Sequence, residues 1–266
     1  QLTSYAMGNP GEIIPATYLR MMEQFEKDTP EVALVEIWGL NAYETYSPQK
    51  RIFEYYMPVN VERLPLSLEK IEVIRDFYSL DMLLENFAIA KYKDRIMKMQ
   101  LMDADFDYSL ESNLRYTSNY SREEMTTRVN NNGFCVMPYW HESPDLYTPY
   151  RDISDYHDCQ PVVADDDKLP LEEDILKYVD KVIDLCAKYD VELIFYRAPY
   201  LSTANELRKA NWLTDYCESK GILFLDLEEE MTFDITTDFL DYYHLNEVGA
   251  VKATEYLAPY ILEAIR

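Results

Sequence analysis

Glycine is scarce in this chain, with six residues in 266, and no segment has the low complexity that accompanies disorder. Four cysteines, Cys135, Cys159, Cys186 and Cys217, form no Cys-x-x-Cys pair, which argues against a cysteine-rich zinc site. No apolar run approaches the ~20 residues needed to span a bilayer. Basic residues are also few, 25 against 49 acidic ones, for a formal charge of −24. Such a surface repels phosphate backbones and anionic headgroups, so no nucleic-acid partner is expected and no direct docking on a membrane surface. Any membrane association is expected only through a segment outside this sequence. No internal repeat is found.

What is present suits a folded domain with a real core, since 48% of the residues are hydrophobic. The first residue is Gln1 rather than Met. A processed or trimmed start is therefore expected, with targeting information upstream. Cys186 and Cys217 fall on apolar helix faces and read as buried thiols. Cys135 and Cys159 are the candidates for a disulfide if the protein is exported. The acidic triplets Asp165-Asp166-Asp167 and Glu228-Glu229-Glu230 read as solvated surface.

The C-terminal hundred residues alternate helix and strand. Pro170 and the acids Glu172, Glu173 and Asp174 open a helix with Ile175, Val179, Val182, Ile183 and Cys186 on one face. Val191 to Tyr196 is a short apolar strand closed by Arg197-Ala198-Pro199. A helix from Ala204 to Ser219 turns Leu207, Ala210, Leu213 and Cys217 inward and ends at Gly221. Ile222 to Leu227 is the next strand, and a last helix from Glu247 carries Val251, Leu257, Ile261 and Leu262 on one side. Near the N-terminus, Pro15 starts a helix containing Leu19, Met22 and Phe25, and Val32 to Trp38 is a strand suited to a sheet interior. Alternation of this kind predicts βαβ units on a mainly parallel sheet, an α/β fold.

Residues 42–167 differ, being rich in Tyr, Asn, Met and Pro. Ser67 to Tyr78 and Asp81 to Met97 read as helices, and Asn130-Asn131-Asn132-Gly133 as a turn. The stretch is read as an insertion into one α/β domain covering 1–266, either a lid or substrate wall or a structural elaboration.

The segment with most chemical content is Asp238-Phe239-Leu240-Asp241-Tyr242-Tyr243-His244-Leu245-Asn246-Glu247-Val248-Gly249-Ala250. It follows the last predicted strand and precedes the last helix, the edge where parallel α/β folds build their sites. Asp241 and His244 are three apart, so one tight loop can aim both at a point. An aspartate there fixes the imidazole tautomer and stabilises its charged form, and the histidine then serves as general base toward a hydroxyl. His141 and His157, in the inserted stretch, are read as structural.

This block, Asp-x-x-His-Leu-Asn-x-x-Gly-Ala, resembles the last conserved block of SGNH (GDSL-like) hydrolases. The resemblance extends over the two preceding βα units and, more faintly, the N-terminal forty residues. It implies a three-layer α/β/α domain of flavodoxin-like type. It also implies that Asp241 and His244 are the acid and base of a Ser-His-Asp triad. The family's oxyanion hole uses a Gly from one block and the Asn of a Gly-x-Asn motif. Gly39-Leu40-Asn41 matches that motif, although Ala42 stands where an Asp often follows. Gly8, with Asn9 beside it, is the candidate for the other donor. Donors of this type contribute about 2.7–4 kcal/mol each. Against these roles, Gly8-Asn9-Pro10-Gly11 is also an ordinary turn sequence and Asn41 a possible cap.

The family's nucleophile lies after the first strand in a Gly-x-Ser turn, and nothing before Gly8 fits that arrangement. The expectation is that this strand and its serine lie upstream of Gln1, with Ser4 as the alternative, and that the fragment alone is inactive. No cofactor or metal is implied, since no His/Asp cluster has ligand spacing. The resemblance thus implies a serine esterase or O-acyltransferase acting on an acyl ester of a carbohydrate or cell-envelope polymer, outside the cytoplasm. The other class is a carbohydrate-binding or scaffolding protein that keeps the fold without catalysis.

Overall fold

The structure, a computed structural model, describes residues 12–37, 57, 60–61, 64–78, 161–200, 202–234, 237–241 and 244–265. The chain divides into two compact units, one made of 1–8 with 74–137 and the other of 9–73 with 138–266. Of the first, the described part is 74–78, the end of a helix and the residue after it. The second carries every other described element.

Helix α1 (Ile14–Phe25) begins with Pro15 in its first turn, where a missing N–H costs nothing. Strand β1 (Val32–Glu36) follows, then α2 (Leu68–Phe77), α3 (Glu173–Tyr189) and β2 (Glu192–Arg197). Next come α4 (Ala204–Lys220), β3 (Leu223–Asp226) and a single turn, α5 (Leu227–Glu230). A hairpin of β4 (Phe239–Asp241) and β5 (His244–Leu245) leads into α6 (Glu247–Ala264). The expected α/β alternation is present, and β1, β2 and β3 form a parallel sheet in that order.

Local chemistry explains the boundaries. Thr203 and Glu206 form a reciprocal capping box at the start of α4, each side chain satisfying the other's backbone N–H. Gly221, at φ +70°, closes the same helix in the left-handed conformation, as the sequence predicts. Asp190 closes α3 in that conformation without being glycine, at φ 57°.

Register assigns the two sheet faces. Leu34 pairs with Ile194, and Glu36 with Tyr196 and Leu225 in line, so these alternate residues share one face. Ile194 and Leu225 are buried there with Phe233, Phe239, Ala253 and Leu257, and Val32, Leu34, Tyr196 and Leu245 pack against them. Helix α6 therefore covers this face. Burying each large side chain contributes about 1.5–3 kcal/mol. Ala33, Val35 and Phe195 alternate with them and are also buried. Helices α1 and α3 pack together, with Tyr18 and Tyr178 edge to face at 5.9 Å and Lys181 Nζ 5.3 and 5.5 Å from the two rings.

Three expectations need correction. Val251 and Leu262 are half exposed, whereas Leu257 is buried as expected, in a stripe with Gly249 and Ala253 that repeats every four residues. In α3, Tyr178 and Leu185 are buried while Ile183 is only partly so, which rotates the inward face slightly. The third correction concerns Glu228, taken up below. Cys186 and Cys217 are buried free thiols, and burial pushes both up to about 12. Cys135 and Cys159 lie outside the described residues, as does the predicted helix from Asp81 to Met97.

Candidate active site

Each strand of the sheet ends in a charged residue after an apolar run: Glu36 after Val-Ala-Leu-Val, Arg197 after Leu-Ile-Phe-Tyr, and Asp226 after Leu-Phe-Leu. Parallel pairing gathers all three at the carboxyl edge, with Arg197 opposite Asp226 and Glu36 opposite Tyr196. That edge is where an open α/β sheet offers a crevice to ligands.

The hairpin forms a second, two-stranded sheet. Asp241 and His244 are direct backbone partners across β4 and β5, with an irregularity between Phe239 and Asp241. Leu245 faces the core, and alternation leaves His244 exposed. The Asn246 side chain explains why the turn is held. Its Oδ1 accepts from the N–H groups of Val248 and Gly249 at 2.9 and 3.1 Å, capping α6. Its Nδ2 donates to the carbonyls of Thr237 and Phe239, at 2.8 and 3.3 Å. One buried amide thus ties the strand before the hairpin to the helix after it.

Asp238 is the second tie. Its fully buried carboxylate accepts from Lys252 Nζ at 2.6 Å, from the Asp234 N–H at 2.8 Å and from the Thr237 hydroxyl at 3.1 Å. Its carbonyl accepts from the N–H of Asn246 at 2.9 Å. A Cβ on Gly249 would lie 2.2 Å from that same carbonyl oxygen, so no larger residue fits there without backbone movement.

Glu36 keeps exposed surface at the end of its strand. Loss of solvation raises its pKa above the ordinary 4.5, while the charge of His244 and a hydrogen bond from the Ala198 backbone N–H oppose the rise. Tyr196 is raised as well, by burial first and by Glu36 second.

Beside it stands a buried polar cluster. Arg197 donates from Nε to both oxygens of Asp226 at 3.1 Å and from Nη2 to Oδ2 at 3.0 Å. Its Nη1 reaches Glu228 Oε2 at 2.5 Å and Ser202 Oγ at 3.0 Å. The Tyr200 hydroxyl donates to Glu206 Oε1 at 3.2 Å. Burial lifts Glu228 to about 7, partly offset by Arg197 and reinforced by Asp226. The expectation of a solvated triplet is therefore wrong for Glu228, which is 2% exposed, and right for Glu229 and Glu230, which are exposed. A buried guanidinium needs counter-charge, and that need overrides the composition signal.

Of the four expected site residues, Asp241 and His244 are brought together, while Gly8 and Asn41 lie outside the described residues with Ser4, Asn9, His141 and His157. Among the described residues, no three His, Cys, Asp or Glu side chains gather closely enough to hold a metal ion. Among them also, no helix is long and apolar enough to cross a membrane. Glu36, Arg197 and Asp226 went unassigned from sequence, although a charge closing each apolar strand was a readable signal. No protein-family model matches this chain. No curated protein matches it significantly either.

Proposed function

We propose that the chain belongs to an SGNH-type serine esterase or O-acyltransferase, acting on an acylated carbohydrate or cell-envelope polymer outside the cytoplasm. One observation carries the reading: Asp241 and His244 are backbone partners across a hairpin that follows the last strand of the parallel sheet and precedes the last helix in the chain. In the full reading, α1 and α3 form one outer layer and α6 the other, completing a three-layer α/β/α domain.

The chemistry then follows in balanced steps. A serine hydroxyl attacks the acyl carbonyl and passes its proton to His244, whose imidazolium Asp241 stabilises. The family's oxyanion donors, for which the sequence resemblance offers Gly8 and Asn41 as candidates, stabilise the developing charge. His244 returns the proton to the departing alcohol, leaving an acyl-serine. Water or a sugar hydroxyl, deprotonated by His244, takes the acyl group and frees the serine.

The test is hydrolysis of short acyl esters by the complete gene product, with His244→Ala as comparison. Loss of at least about 10²-fold in the folded variant is expected, the scale of a lost general base. Equal activity in both proteins sinks the triad. Ala42, standing where the family motif often has Asp, favours a second reading, a carbohydrate-binding scaffold without turnover. That protein would bind glycans unchanged after His244→Ala and release no acid.

A further inference from the structure

The geometry points to a binding site for a small primary ammonium ion with a short alkyl stem, in the cavity between residues 161–163, α4 and α5. The N–H groups of the ion donate to Glu228 Oε1, the Glu229 carboxylate and Asn211 Oδ1. This site stands independently of the roles given to Asp241 and His244.

The cavity measures about 180 Å³ and is lined by Val162 and Val163, by Leu207 and Asn211 of α4, and by Glu228 and Glu229 of α5. A cavity of roughly 150 Å³ admits benzene, so a ligand near that size fits. Its wall is fixed to α4. Asn211 Nδ2 donates to the carbonyls of Ala164 and Asp167 at 3.0 and 3.3 Å. Arg208 Nε donates to Asp167 Oδ1 at 2.7 Å, and the Leu169 N–H to the Arg208 carbonyl at 3.0 Å.

The polar side chains of this lining have only acceptors left to offer. Glu228 is 2% exposed, yet both hydrogen bonds to its carboxylate among the described residues fall on Oε2, from Arg197 Nη1 at 2.5 Å and Ser202 Oγ at 3.2 Å. Its Oε1 accepts none among them and is not sealed from solvent. Asn211 has spent its N–H groups on the two carbonyls, which leaves Oδ1. The Glu229 carboxylate is exposed and forms no hydrogen bond among the described residues. Such a lining selects a ligand that is all donor, and an ammonium has three N–H groups and no acceptor. Val162, Val163 and Leu207 take the alkyl stem, which covers the fully exposed Val162.

Electrostatics agrees with this choice. One guanidinium, Arg197, serves two buried carboxylates, Asp226 and Glu228. Burial lifts Glu228 to about 7 although Arg197 opposes the rise, so its negative form is short of counter-charge. An ammonium beside Oε1 supplies it.

The probe is n-butylammonium chloride, added to the full chain labelled with nitrogen-15 and methyl carbon-13 and followed by NMR at constant ionic strength. Shifts are expected at Val162, Val163, Leu207 and the Asn211 side-chain amide, with a dissociation constant of about 1 mM. The uncharged n-butanol should bind at least about tenfold more weakly. Glu228→Gln removes the charge and should weaken butylammonium roughly 10–100-fold. Should that variant fail to fold, Glu229→Gln, at an exposed position, should weaken it roughly 2–5-fold. Silence at these residues at roughly 20 mM butylammonium overturns the assignment. So does equal binding of n-butanol, or an unchanged affinity in whichever variant folds.

Discussion

Arg197 grips both oxygens of Asp226 across the β2–β3 ladder, with three contacts of 3.0 to 3.1 Å and almost no solvent. The pair closes the carboxyl ends of two neighbouring strands.

Removing one partner of such a pair strands a buried charge. Arg197→Met leaves Asp226 and Glu228 facing each other, so a loss of about 3–5 kcal/mol is expected from urea unfolding. A loss below about 1 kcal/mol would mean that the pair is solvated in practice.

Glu228 should make stability fall toward alkaline pH. Its ordinary pKa is 4.5 and its folded value about 7, so folding favours the protonated form. That contribution is complete below pH 4.5 and is lost as pH rises through 7, with a span of about 3 kcal/mol. Comparing urea midpoints at pH 5 and pH 8 reads it, and Glu228→Gln should flatten this component. An equal pH slope in the variant excludes Glu228 as its source.

Gly249→Ala forces a methyl against the Asp238 carbonyl oxygen. Helix propensity alone would make the change favourable by up to about 1 kcal/mol. The clash reverses the sign, and destabilisation of about 1–3 kcal/mol is expected by thermal or chemical denaturation. A stabilised variant would show that the hairpin does not press on α6 there.

Asn246 can be dissected by two substitutions. Asn246→Asp keeps the acceptor that caps α6 but loses the donations to Thr237 and Phe239. Asn246→Ala loses both and should cost about 0.5–2 kcal/mol more than the aspartate form, the worth of a cap. Equal stability of the two variants would deny the cap its role.

The α/β alternation was legible because its signals are local. Apolar runs marked strands, Pro15 and Pro170 stood near helix starts, and Gly221 supplied a positive φ. The Asp241–His244 pair was legible for the same reason, since three positions separate the two. Glu36 and Glu228 were not, because each takes its meaning from residues far along the chain. Glu228 sat inside an acidic triplet, where average behaviour predicts solvent, and only Arg197 from another strand explains its burial. In α6, hydrophobic identity pointed to Val251 and Leu262, whereas the helix passes so close to the Asp238 carbonyl that Gly249 admits no side chain.

The strand order also dictates a sequence of folding events. Partners on β2 and β3 are 29 positions apart, with one helix between them. Partners on β1 and β2 are roughly 160 apart. Treated as flexible chain, the longer closure costs about 1.5 kcal/mol more, and it gains nothing until both ends meet. The unit from β2 through β3 is therefore the natural nucleus, and β1 docks late, carrying Glu36 with it. A chain arrested before that step would keep the Arg197–Asp226 lock yet lack the strand that completes the three-stranded sheet and brings Glu36 to its carboxyl edge.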